Sequence, residues 1–216
     1  MKTTHLLLAS AALASSFSAN ALVQGTLGGG AGTFAVLSSP TLGVPGSGGT
    51  LSGTTSATIT GGAVFAADMS FADDVMPGEN FLAAGPTPGG FGVLNTATLM
   101  FTTPVSYISF LWGSPDTYNT LTVISTGGGS QTFTATGVGF GAAFPVTNGD
   151  QSFMQSVQFQ GLSGSLITSL VFTSTGDSFE VGHFTVQAPV REPETYALMF
   201  GGLGALGFLA VRRKRA

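Results

Sequence analysis

The groups able to do acid–base or metal chemistry are few enough to weigh one by one. Between residues 22 and 190 the chain has one histidine, His183, no cysteine, and eight carboxylates: Asp68, Asp73, Asp74, Glu79, Asp116, Asp150, Asp177 and Glu180. One imidazole and no thiolate leave a transition-metal site short of ligands. Nucleophilic catalysis needs a nucleophile, a base and a group to orient the base. His183 falls in an alternating run with Phe179 and Val181 on its face, which reads as a strand residue rather than a base. Gly161-Leu162-Ser163-Gly164-Ser165 does not complete the G-x-S-x-G elbow. The remaining cluster is "FADDVMPGEN", with Asp73, Asp74, Glu79 and Asn80 within eight residues. Such oxygen ligands suit Ca²⁺, but the spacing is not that of an EF-hand, and the plainer reading is a solvated loop that keeps a cation-free surface soluble. Asp116 follows Gly113-Ser114-Pro115 and reads as a turn former. No coherent catalytic constellation emerges, so the expectation is a protein that is not an enzyme, with a glycan or ester hydrolase ranked last.

The elements that would position these groups alternate with period two. Thr50–Thr60, Thr96–Phe101, Val105–Trp112, Thr120–Thr126, Gln131–Val138, Ser152–Gln160, Leu166–Thr173 and Phe179–Gln187 are rich in Thr, Val, Ile and Phe and are separated by Gly, Pro, Asn and Asp. Ile108, Phe110 and Trp112 share one face of their run, and Thr168, Leu170 and Phe172 share one face of theirs. Residues 22–189 are therefore expected to form one all-β body of about nine to eleven strands, an antiparallel β-sandwich or jelly-roll-like fold. The Gly-, Ser- and Thr-rich first third leaves strand boundaries open there.

Charge is distributed unevenly. All six cations, Lys2, Arg191, Arg212, Arg213, Lys214 and Arg215, lie at the two ends. A body with eight carboxylates and no Lys or Arg is a poor partner for nucleic acid or anionic lipid. The whole chain's 18 Phe and 7% charged residues also separate it from disordered chains, which pair low hydrophobicity with high charge.

The N-terminus reads as a secretory signal peptide over residues 1–21, of the kind passed to the Sec translocase. Lys2 is followed by an apolar stretch and by Ala19-Asn20-Ala21, so cleavage would leave Leu22 first. Residues 195–211 carry no charge, enough for a short transmembrane helix of about 25 Å. The four cations at 212–215 would hold that end in the cytoplasm and place the body across the membrane. Gly202-Leu203-Gly204-Ala205-Leu206-Gly207 matches a dinucleotide fingerprint, but it sits inside the apolar span and lacks the strand and acidic residue such a site needs.

Glu192-Pro193, Glu194-Thr195, the apolar run and the basic end together resemble the PEP-CTERM sorting signal of Gram-negative bacteria. Arg191 stands where that signal carries its first Pro. The resemblance implies a 190–216 sorting tail cut near residues 191–195 by an exosortase, with the body passed from a transient inner-membrane anchor to the cell surface. Pro193 favours an extended, accessible peptide at that point. "WGSPDTYN", 112–119, and "GDSFEVGHFTVQ", 176–187, are similar to segments of exosortase-dependent surface proteins that carry Trp-Gly-Ser-x-Asp-x-Tyr-Asn and often an Asp-Asn pair at Gly182-His183. On that resemblance the chain is expected to be a structural or adhesive component of the extracellular matrix or biofilm, meeting exopolysaccharide or further copies of itself. A Ca²⁺-dependent or polysaccharide-binding module is the alternative, and no other cofactor is expected.

Overall fold

The computed structural model describes residues 23–66, 78–86, 96–146, 148, 153–176, 178–189 and 202–203. Within them the fold is all-β, two antiparallel sheets packed face to face. The first sheet, A, contains β1 (Val23–Leu27), β2 (Thr33–Phe34), β6 (Ala63–Phe65), β7 (Phe81–Ala84), β9 (Tyr107–Gly113), β12 (Met154–Gly161) and β14 (Phe179–Gln187). Its order is β1-β12-β9-β14-β7-β6, with β2 also on β14. The second, B, contains β3 (Val36–Ser38), β4 (Gly49–Ser52), β5 (Ser56–Gly61), β8 (Thr96–Val105), β10 (Asn119–Ser125), β11 (Ser130–Phe133) and β13 (Ile167–Ser174), in the order β11-β10-β13-β8-β5-β4-β3.

Fourteen described strands exceed the expected nine to eleven for an identifiable reason. Strands as short as β2, β3 and β6 leave no visible alternation, and Thr50–Thr60 is two strands joined by a tight turn rather than one run. Gln131–Val138 is strand only to Phe133.

The core is aromatic. Phe110 is 1% exposed, and its ring centroid lies 5.6 Å from those of Phe159, Phe172 and Phe184. Trp112 stacks on Phe179 at 4.2 Å and meets Phe144 edge-on at 5.4 Å. Ile108, Phe110 and Trp112 do share the inner face, as the alternation of β9 requires. A smaller apolar cluster of Ala63, Phe65, Phe81 and Ala83, with Leu111 and Met154 against it, is separate from this core. Phe81 and Ala83 alternate with the core residues Leu82 and Ala84, which puts this cluster on the outer face of sheet A.

Two irregularities change sequence-based face assignments. In β14, register slips between Gly182 and Thr185 opposite β9, a bulge of one residue. It re-phases the strand, so that Val181 and Phe184 both point inward and His183 leaves the face of Phe179 and Val181 for solvent. His183 has φ of 50°, a left-handed conformation in which His is one of the few enriched non-glycine types. In β13, the slip between Ile167 and Ser169 puts Ile167 in the core with Leu170 and Phe172. Thr168 does not join them; its hydroxyl donates to the Ile124 carbonyl at 3.1 Å.

The two ends of the described body meet in one row of sheet A. Val23 pairs with Gly161, whose N–H donates to Ser106 O, and the Ser106 N–H donates to Gln187 O. The Ser106 hydroxyl also donates to Ala188 O at 3.1 Å.

Candidate functional site

The turn residues of segment 112–119 suggest a hairpin, but the segment does not form one. Its flanking strands lie in opposite sheets, β9 in A and β10 in B, so residues 114–118 form an arch between layers. Ser114 starts the arch with φ of 40°. The Asn119 N–H donates to Asp116 O at 3.2 Å and its amide to Asp116 Oδ2 at 3.4 Å. Asp116 and Asn119 are 1% and 0% exposed, so Asp116 is the turn former the sequence suggested but a buried one. Gly176 packs on the face of Tyr118, where a Cβ would stand 2.9 Å from three ring atoms. Trp112 stacks on Phe179, and Gly113 pairs with Glu180. The two stretches 112–119 and 176–187 thus pack on each other through Trp112, Gly113, Tyr118, Gly176, Phe179 and Glu180. Among the described residues, Trp112 Nε1 and Asn119 Oδ1 are buried there without a hydrogen-bond partner.

Glu180 is 3% exposed and shares the outer face of sheet A with its cross-strand partner Ala83. The Ser178 hydroxyl donates to Glu180 Oε1 at 2.7 Å. Removing that donor leaves a buried carboxylate oxygen less satisfied. Ser178→Ala is therefore expected to lower stability by about 1–2 kcal/mol, read as a lower urea midpoint at unchanged m-value.

Of the four residues considered for Ca²⁺, Asp73 and Asp74 lie outside the described residues. Glu79 and Asn80 are engaged with the protein. Glu79 Oε1 and Oε2 lie 3.0 and 3.1 Å from His183 Nδ1, and the Asn80 amide donates to Leu37 O at 2.9 Å. The Glu79–His183 pair borders a cleft of about 250 Å³ with Phe34 and Val36, and the Phe34 ring sits 5.3 Å from the imidazole. The pair is exposed, and such pairs contribute roughly 0–1 kcal/mol. No group of three or more His, Asp or Glu able to hold a metal occurs among the described residues.

The constellation that residue-by-residue reading missed lies on the outer face of sheet A. Each of four adjacent strands contributes a neutral polar pair at i and i+2: Gln24 and Thr26 on β1, Gln160 and Gln158 on β12, Tyr107 and Ser109 on β9, Gln187 and Thr185 on β14. Register joins them into two rows, Gln24–Gln160–Tyr107–Gln187 and Thr26–Gln158–Ser109–Thr185. The Tyr107 hydroxyl donates to Gln158 Oε1 at 2.9 Å, and Gln158 Nε2 donates to Thr26 Oγ1 at 2.8 Å. Loop residues 28–31 cover one end: the Gly30 N–H donates to Ser109 Oγ, which lies 2.7 Å from Thr185 Oγ1, and Thr185 Oγ1 donates to Ala31 O at 2.6 Å. The other end is open as a cleft of about 290 Å³ lined by Gln24, Thr26, Tyr107, Gln158, Gln160 and Gln187. The period-two polar pairs were present in the sequence; what was missing was the strand order that sets them side by side.

The expected signal-cleavage residues Ala19, Ala21 and Leu22, the sorting motif Arg191, Glu192, Pro193, Glu194 and Thr195, and the basic residues Arg212, Arg213, Lys214 and Arg215 all lie outside the described residues. So does most of the expected membrane span; among the described residues no helix is long and apolar enough to cross a membrane.

These features define an all-β protein of two antiparallel sheets with an uncharged polar face. No protein-family model, curated protein or solved structure matches the chain.

Proposed function

We propose that the chain is an exported, exosortase-sorted surface protein whose jelly-roll-like body has a structural or adhesive role in the extracellular matrix. The observation that carries the adhesive reading is the two-row field of amides and hydroxyls on sheet A, which offers a matrix polymer hydrogen bonds without charge. The described carboxylates are meanwhile committed to the body itself. Asp116 is held in the arch, Glu180 by Ser178, and Glu79 by His183. The sorting reading rests on the sequence of the two ends.

Sorting is tested by the intact mass of protein recovered from the native surface or medium. The expected chain begins at Leu22 and ends between Arg191 and Thr195, with added mass at that end if it is joined to a carrier. A chain still ending at Ala216 would overturn sorting and leave a plain membrane anchor.

A further inference from the structure

We propose that the outer face of sheet A binds a neutral polysaccharide chain, with Gln24, Gln160 and Gln187 as its contacting side chains. The inference rests on the adhesive reading above and names its ligand class.

Chemistry selects the ligand. A sugar hydroxyl is donor and acceptor at once, and a primary amide offers both functions, whereas carboxylates only accept and ammonium or guanidinium groups only donate. Four strands at about 4.8 Å spacing carry the first row over roughly 14 Å, so the field is wide enough for a polymer to lie across rather than for one small molecule to drop in. Among the described residues the side-chain amides of Gln24, Gln160 and Gln187 have no hydrogen-bond partner, and all three are exposed. Beside that row, two residues along β12 from Gln160, Gln158 is oriented from both sides by Tyr107 and Thr26, which leaves it one N–H to give. That ordered centre distinguishes the field from a face that is merely wet.

Charge excludes the competing polymers. With eight carboxylates and no Lys or Arg between residues 22 and 190, the body offers the phosphates or carboxylates of a nucleic-acid or uronate-rich chain no cationic side chain to pair with. A protein partner would want an apolar or aromatic anchor at the centre of the patch. Here the centre is an amide, and the one aromatic ring, Tyr107, is 6% exposed.

The test is affinity electrophoresis of the protein as recovered from its cells, in native gels containing dextran, laminarin, hydroxyethylcellulose or galactomannan, with alginate as the polyanion. Retardation is expected by at least one neutral polymer and not by alginate. The triple variant Gln24→Ala, Gln160→Ala, Gln187→Ala is expected to lose about tenfold or more in affinity at an unchanged melting temperature, since three exposed contacts are removed. Failure of every neutral polymer to retard the protein would overturn the proposal. So would retardation by alginate of equal strength, or a triple variant retarded like the parent. A chain found to end at Ala216 would overturn sorting and leave this binding result standing, so the two failures are distinguishable.

Discussion

Trp112→Ala is expected to destabilise the body by about 3–5 kcal/mol, the range for removing a large buried aromatic. Trp112 is 0% exposed, stacked on Phe179 and edge-on to Phe144. It also lies one residue before the end of β9, beside the arch, so the cavity opens where the chain changes sheets. No neighbour is free to collapse into it: Phe179 is pinned at 90° against Phe172, and Phe144 is edge-on to Phe140. At roughly 2–4 °C per kcal/mol for a domain of this size, the melting temperature should fall by about 6–20 °C in a calorimetric scan. Trp112→Phe keeps an aromatic surface and should lose less than half as much. It also removes an indole N–H that has no partner. Equal losses for the two variants would show that Trp112 is not packed as described.

Gly161→Ala is expected to cost about 3 kcal/mol, the upper part of the range for overpacking. A Cβ on Gly161 would overlap the carbonyl oxygen of Ser165, and backbone cannot rotate away as a side chain would. The turn that brings Ser165 there runs through Ser163 and Gly164, both at positive φ, and closes with the Ser165 N–H on Leu162 O at 3.0 Å. To admit the methyl, the crossing from β12 to β13 must open and the Val23–Gly161 pair must loosen. Gly164→Ala is the informative comparison. Nothing lies within 4 Å of a Cβ there, so its cost is the left-handed backbone alone, roughly 1 kcal/mol. Urea unfolding of the two variants should separate them; a Gly164 variant as damaged as the Gly161 variant would contradict the steric account.

The sequence showed clearly what depends on local alternation. The all-β class, the inner face of β9 and the turn role of Asp116 all follow from residues a few positions apart. What it hid depends on pairing across the fold. Ser114, Pro115 and Asp116 look like a hairpin turn from either side, because turn chemistry fixes the local bend and not the sheet in which the next strand lands. His183 looked like a strand residue facing with Val181 because a one-residue bulge has no signature beyond Gly182 and a tolerant His. The polar field on sheet A was invisible for the same reason, since its members come from residues 24–26, 107–109, 158–160 and 185–187.

The meeting of both body ends in one row has a mechanical consequence. If the protein is held beyond Pro189, tension enters at Gln187 and Ala188, on a strand flanked by β9 on one side and on the other by β7 nearer its start and β2 nearer its end. A pull along that strand loads its ladder bonds in shear, so several must fail together instead of one by one. A polymer seated on Gln24, Gln160 and Gln187 grips the row next to that anchor point. The force path from ligand to tether then crosses only the end of sheet A, and sheet B with most of the aromatic core stays outside the load.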